Sequence, residues 1–176
     1  NFSTLFLGDE ANAGWHVRAD QYAANPVDDV TGTLDSRGVD TGGIVATGVV
    51  TTPNPYAARL RMPGTAEWLP YEVRGMDDDF ISGSELTFGQ RAAGYETDAD
   101  VIAALGSEPN VAVIDEYAIT AANAMGHGQT PFQLTGLDTD TQGFAPITVE
   151  IANPVTGEPV QVTIIGIIDS GISSLT

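Results

Sequence analysis

Two tripeptides of this chain could do acid–base chemistry. Asp40-Thr41-Gly42 and Asp169-Ser170-Gly171 each place a carboxylate ahead of a hydroxyl and a glycine. Two such turns, brought face to face, can hold carboxylates that share one proton, one acting as acid and the other as base. Ile167-Ile168-Asp169-Ser170-Gly171 supplies the apolar strand that such a turn needs. Asp40 has a different context. It follows Arg37-Gly38-Val39, which reads as a helix exit. The 176 residues are also about half of what a two-lobed enzyme enclosing such a pair requires. The balance therefore favours two acidic turns over a catalytic dyad.

Other groupings point to structure before chemistry. Asp77-Asp78-Asp79 offers hard oxygen ligands but lacks the spacing and the bidentate Glu of a calcium loop. It reads as a solvated acidic turn after a strand. His16 and His127 stand in no metal-binding spacing. With no lysine, a phosphate-binding G-x-x-x-x-G-K-[ST] loop is impossible. No G-x-S-x-G occurs, and Gly42-Gly43 falls between a helix and a strand, the reverse of the dinucleotide-loop order. No catalytic, cofactor-binding or metal-ligating residue is assigned, so the expectation is a protein that is not an enzyme and needs no cofactor.

The elements that must position these residues follow from periodicity. Trp15 to Ala19 alternates like a strand. Asn25-Pro26 resembles a helix start, and Val27, Val30 and Leu34 continue it, which predicts a helix over 26–37 ended by Gly38. Ile44 to Thr52, Ala57 to Met62 and Leu69 to Arg74 read as strands, the last two joined around Pro63-Gly64. Thr97-Asp98 caps a short helix carrying Val101, Ile102 and Leu105, closed by Gly106. Val111 to Ile114 is a compact strand, and residues 120–130 read as a loop. The clearest local signal is a hairpin. Ile147, Val149 and Ile151 alternate, Asn153 to Pro159 turns, and Val160, Val162 and Ile164 alternate again into Ile164–Ile168. The near-continuous apolar end predicts a strand covered on both faces. The class is α+β.

Composition narrows the partners. The chain has 24 carboxylates against six arginines, for a net charge of -18. No basic stripe is available for phosphate backbones, so nucleic-acid binding is excluded as a working reading. Anionic lipid headgroups would repel the surface. Fifteen Asp against nine Glu, with no Lys, favour a salt-adapted surface over ordinary extracellular acidity. The 42% hydrophobic content supports a packed core. No Cys is present, which removes disulfides and thiolate sites. No run reaches the roughly 20 apolar residues of a membrane helix. With Asn1 at one end and Thr176 at the other, the chain reads as a piece of a longer protein.

One stretch is more specific than the rest. Val73-Arg74-Gly75-Met76-Asp77-Asp78-Asp79-Phe80, then Arg91-Ala92-Ala93-Gly94-Tyr95-Glu96-Thr97-Asp98 and Pro109-Asn110-Val111-Ala112-Val113-Ile114-Asp115, come in that order. Together with the C-terminal hairpin, this resembles the extracytoplasmic domain of FtsX-like, MacB-type ABC transporter permeases. The likeness lies in apolar patterning and turn positions and carries no catalytic residue. It implies a porter-like α/β lobe from both chain ends, residues 1–75 and 145–176, with a smaller lobe, 76–144, inserted between them. It implies a place on the extracytoplasmic side of the cell membrane. The partners it implies are the protein's own transmembrane helices, a cytoplasmic ATPase subunit and, as an option, a second copy. The domain would couple ATP-driven helix motion to an external substrate or partner. Trp15 and Trp68 are expected to be buried in the porter-like lobe, and both chain ends to lie in one lobe. The alternatives are a secreted acidic binding or adhesion module and an aspartic hydrolase using Asp40 and Asp169.

Overall fold

A computed structural model describes residues 13–18, 27–51, 58–119, 132–137, 143–153 and 156–168. It is an α+β fold. Among the described residues, helices α1 (Val30–Asp35), α2 (Asp78–Gly83) and α3 (Asp98–Ser107) accompany nine strands. The strands are β1 (Val50–Thr51), β2 (Arg59–Arg61), β3 (Leu69–Pro70), β4 (Gly75–Met76), β5 (Phe88–Ala92), β6 (Val111–Asp115), β7 (Gly143–Phe144), β8 (Ile147–Ala152) and β9 (Pro159–Ile168). β1 and β4 form a two-stranded ribbon, and the other strands form one seven-stranded sheet.

The sheet is organised around β9. Its first half, Pro159 to Ile164, pairs antiparallel with β8, as the hairpin pattern predicts. Ile147 faces Ile164, and Ala152 faces Pro159. The turn is set by Asn153, whose Oδ1 accepts from the Thr156 N–H at 3.1 Å, and by Gly157 at φ 74°. From Thr163 to Ile168, β9 also pairs parallel with β6. Gly166 to Ile168 pairs antiparallel with β5. A strand has two edges, so β8 and β5 follow one another along one edge and β6 holds the other.

The second half of β9 is buried throughout, with Ile164, Ile165, Ile167 and Ile168 all in the core. An alternating stretch thus passes into a continuous apolar one where a single covered face becomes two. α3 supplies one cover. Its Val101 Cγ1, with Phe88 Cδ1 of β5 and Val113 Cγ1 of β6, closes on Gly166, where an added Cβ would lie 3.0–3.2 Å from all three. Phe132, Leu134, Phe144, Leu86 and Val149 complete the same core.

Several expected elements come out shorter or different. The helix expected over 26–37 is the six-residue α1, capped by Asp29, whose Oδ1 accepts from the Gly32 N–H at 2.8 Å. Val27 precedes it, because an Asp side chain satisfies the first-turn amides directly. Trp15 to Arg18 forms no strand. Of the described residues of Ile44–Thr52 only Val50–Thr51 is a strand, and of Leu69–Arg74 only Leu69–Pro70, although the Tyr71 N–H still donates to Ala58 O at 3.2 Å. α3 has its expected start at Thr97 but runs through Gly106 to Ser107. Neither tryptophan is fully buried. Trp15 stacks on Phe80 with ring centroids 5.4 Å apart, and Trp68 lies beneath the Arg61 guanidinium at 4.3 Å. The loop expected over 120–130 lies outside the described residues.

The sheet draws on both segments that the resemblance assigns to separate lobes. β2, β3, β8 and β9 come from the chain ends, and β5, β6 and β7 from residues 76–144. Hydrogen bonding between strands therefore runs across both expected boundaries.

Candidate functional site

Asp40 is exposed, and its Oδ1 accepts the Gly42 N–H at 3.0 Å, closing a local turn. Asp169 lies outside the described residues, as does His127. Asp40 therefore stands as a turn former after α1. His16 is exposed beside the first described turn.

The triple aspartate is a helix cap. Asp77 Oδ1 accepts the Phe80 N–H at 2.7 Å, and its Oδ2 accepts the Val49 N–H at 3.0 Å. Asp78 and Asp79 occupy the first turn of α2, where acidic side chains meet the positive helix end. The acidic turn after β4 is thus solvated, as expected, and also starts a helix that periodicity does not announce. Among the described residues, no group of three or more His, Asp or Glu side chains could hold a metal ion.

Arg61, Arg91 and Arg74 are held in ion pairs. Arg61 of β2 meets Glu150 of β8 at 2.6 Å, across a register pair of the sheet. Arg91 of β5 meets Asp98 at the start of α3 at 2.6 Å. Arg74 meets Glu72 at 2.6 Å. With few cations in the chain, each of these pairs stitches neighbouring structure.

A part-buried polar contact joins Tyr71 to Asp115. The Tyr71 hydroxyl donates to Asp115 Oδ2, and Asp115 Oδ1 accepts the Ala118 N–H at 3.2 Å. Phe132 packs edge-on against the Tyr71 ring at 5.7 Å. Burial, and then the Asp115 charge, push the Tyr71 hydroxyl far above the usual tyrosine range. Such a phenol keeps its proton at neutral pH and serves as a hydrogen-bond donor. The contact ties the connection after β3 to the short 3-10 turn, Glu116–Ala118, that follows β6.

The geometry of greatest consequence is where the two ends of the described chain arrive. Ala13 is fully buried, and its carbonyl accepts the Glu85 N–H at 2.8 Å. Ile168 pairs with Phe88 at the start of β5. Glu85 and Phe88 are three residues apart, a span of roughly 10 Å even when extended. Ala13 and Ile168 also belong to one hydrophobic cluster. The segment Glu85–Phe88 is therefore the meeting point of both ends. The sequence carries a signal for it in the alternation Leu86, Phe88, but glycine at 89 interrupts the pattern, and β5 is not among the expected strands. Nothing local marks Ala13 as its partner.

Compared with family models, curated proteins and solved structures, the chain matches none.

Proposed function

We propose that this chain is the extracytoplasmic domain of an FtsX-like ABC transporter permease. Its work is mechanical. A cytoplasmic ATPase moves membrane helices, and the domain carries that motion to a substrate or partner outside. The observation that carries the reading is the shared anchorage of Ala13 and Ile168 on Glu85–Phe88. A domain hung between two membrane helices needs both of its ends near one membrane surface, and a secreted binding module has no such requirement. β9 suits the role, since Ile168, at the end of a ten-residue strand, is gripped by β5 on one edge and β6 on the other.

The test uses the full-length protein in cells. The chain has no Cys, so Val45→Cys introduces one exposed thiol into it. In an otherwise cysteine-free background, a membrane-impermeant maleimide should label intact cells at this position. The purified protein should carry an ATPase subunit with it. Absence of membrane helices on both flanks, or labelling only after lysis, would sink the proposal.

A further inference from the structure

Residues 27–51 run through α1, the loop after it and β1 without one buried residue. Among the described residues, four of the six exposed large hydrophobic side chains lie here: Val39, Ile44, Val45 and Val49. Val45 is 100% exposed. Single exposed apolar residues are ordinary, but four within one short loop mark a surface built for contact.

The loop is held in shape while it presents them. Gly38, at φ 77°, ends α1 with its N–H donating to Asp35 O and the Val39 N–H donating to Leu34 O. Asp40 then closes its turn onto Gly42, and the Ile44 N–H donates to Thr41 O at 2.9 Å. At the far end Val49 and Asp77 exchange hydrogen bonds. Gly48 packs on the Phe80 backbone so tightly that an added Cβ would lie 2.5 Å from Phe80 Cα. A loop pinned at both ends and folded in the middle loses little freedom on binding.

Charge selects the occupant. Asp28, Asp29, Asp35 and Asp40 outnumber the single Arg37 within the segment, and Asp77, Asp78 and Asp79 adjoin it through the Val49 contact. A second copy would bring the same sign to both sides of the interface, with -18 on each chain. We propose that the Val39–Val49 loop docks a protein surface with an apolar centre and a rim of Lys or Arg. The apolar side chains supply the water-excluding centre, and the surrounding carboxylates set register and attraction. This site goes beyond the transporter reading and stands on its own observations.

Two synthetic peptides of equal length and charge test it, one alternating Leu and Lys and one alternating Gly and Lys. Binding is followed at physiological salt by amide chemical shifts of the isotope-labelled chain. The Leu–Lys peptide should shift the amides of 39–49 foremost. Ile44→Asp with Val45→Asp should weaken it at least roughly tenfold. Both changes add negative charge, so a loss can only reflect the missing apolar contact. The thermal midpoint should hold, since both side chains are exposed; if the double variant melts early, Val45→Ser replaces it. Equal binding by both peptides, or indifference to the substitutions, would overturn the proposal. So would a concentration-dependent dimer abolished by Val45→Asp, which would assign the loop to a second copy.

Discussion

Tyr71 and Asp115 show how much a single contact can carry in a chain whose charges are almost all of one sign. The Tyr71 hydroxyl has one partner, a half-buried carboxylate that also caps the turn after β6. Tyr71→Phe keeps the ring against Phe132 but strands Asp115 Oδ2. The expected loss is about 1–3 kcal/mol, read from urea denaturation midpoints. The pH dependence has a definite sign. The folded-state pKa is raised, so the native state holds its proton while the unfolded chain releases it from about pH 10 upward. The stabilisation is complete below that pH and falls as pH climbs beyond it. Denaturation midpoints measured from pH 8 to 11 should drop at the alkaline end for the native chain, and Tyr71→Phe should flatten that limb. An equally steep limb in the variant would place the titrating group elsewhere.

At the scale of elements, β9 and α3 meet at Gly166, and the fit leaves no spare room. An added Cβ would press on side chains from β5, α3 and β6 at once. Gly166→Ala should cost about 1–3 kcal/mol by overpacking. The same change at Gly89, where nothing lies within 4 Å, should cost far less. Thermal midpoints of the two variants, run side by side, check the contrast. α3 itself begins in a reciprocal cap. Thr97 Oγ1 accepts the Asp100 N–H, and Asp100 Oδ2 accepts the Thr97 N–H at 2.8 Å. The Thr97 backbone amide and then its hydroxyl hold the Asp100 carboxyl below the usual carboxylate range. Thr97→Ala should destabilise by about 1 kcal/mol. Native stability gained from Asp100 is present above the unfolded carboxylate pKa and lost as pH falls. The variant should accordingly lose less than the native chain on acidification below pH 4, by the same denaturation assay.

The whole molecule is governed by its net charge of -18. For this length a compact radius of gyration is roughly 16 Å. Repulsion across that distance is screened over about 10 Å at 0.1 M salt and over about 3 Å at 1 M. The thermal midpoint should therefore rise clearly from low salt to molar salt. A flat response would show that the carboxylates are dispersed widely enough not to oppose folding. Under the proposed transporter role, such a domain would face an ionic exterior, where screening is available.

The acidic, lysine-free composition and the C-terminal hairpin were legible from residues alone. Charge is a sum over side chains, and a hairpin is a contact between neighbours, so both are local. The cap at Thr97 and the buried run Ile164–Ile168 belong with them, since each is written in adjacent residues. β1 and β3 fall inside the expected strands Ile44–Thr52 and Leu69–Arg74, but their two-residue extent was not legible. β4 and β7, also two residues each, are too short for any period and exist only because distant partners supply their hydrogen bonds. The triple aspartate looked like a solvated turn, and only the approach of Val49 and the start of α2 gave Asp77 its second task. The same holds for β5 and β6, which lie against β9 although nothing local assigns them to the sheet of the chain ends. Contacts between Ala13 and Glu85, or Tyr71 and Asp115, join residues far apart in sequence, and only the packed chain decides which of many possible partners a buried group meets.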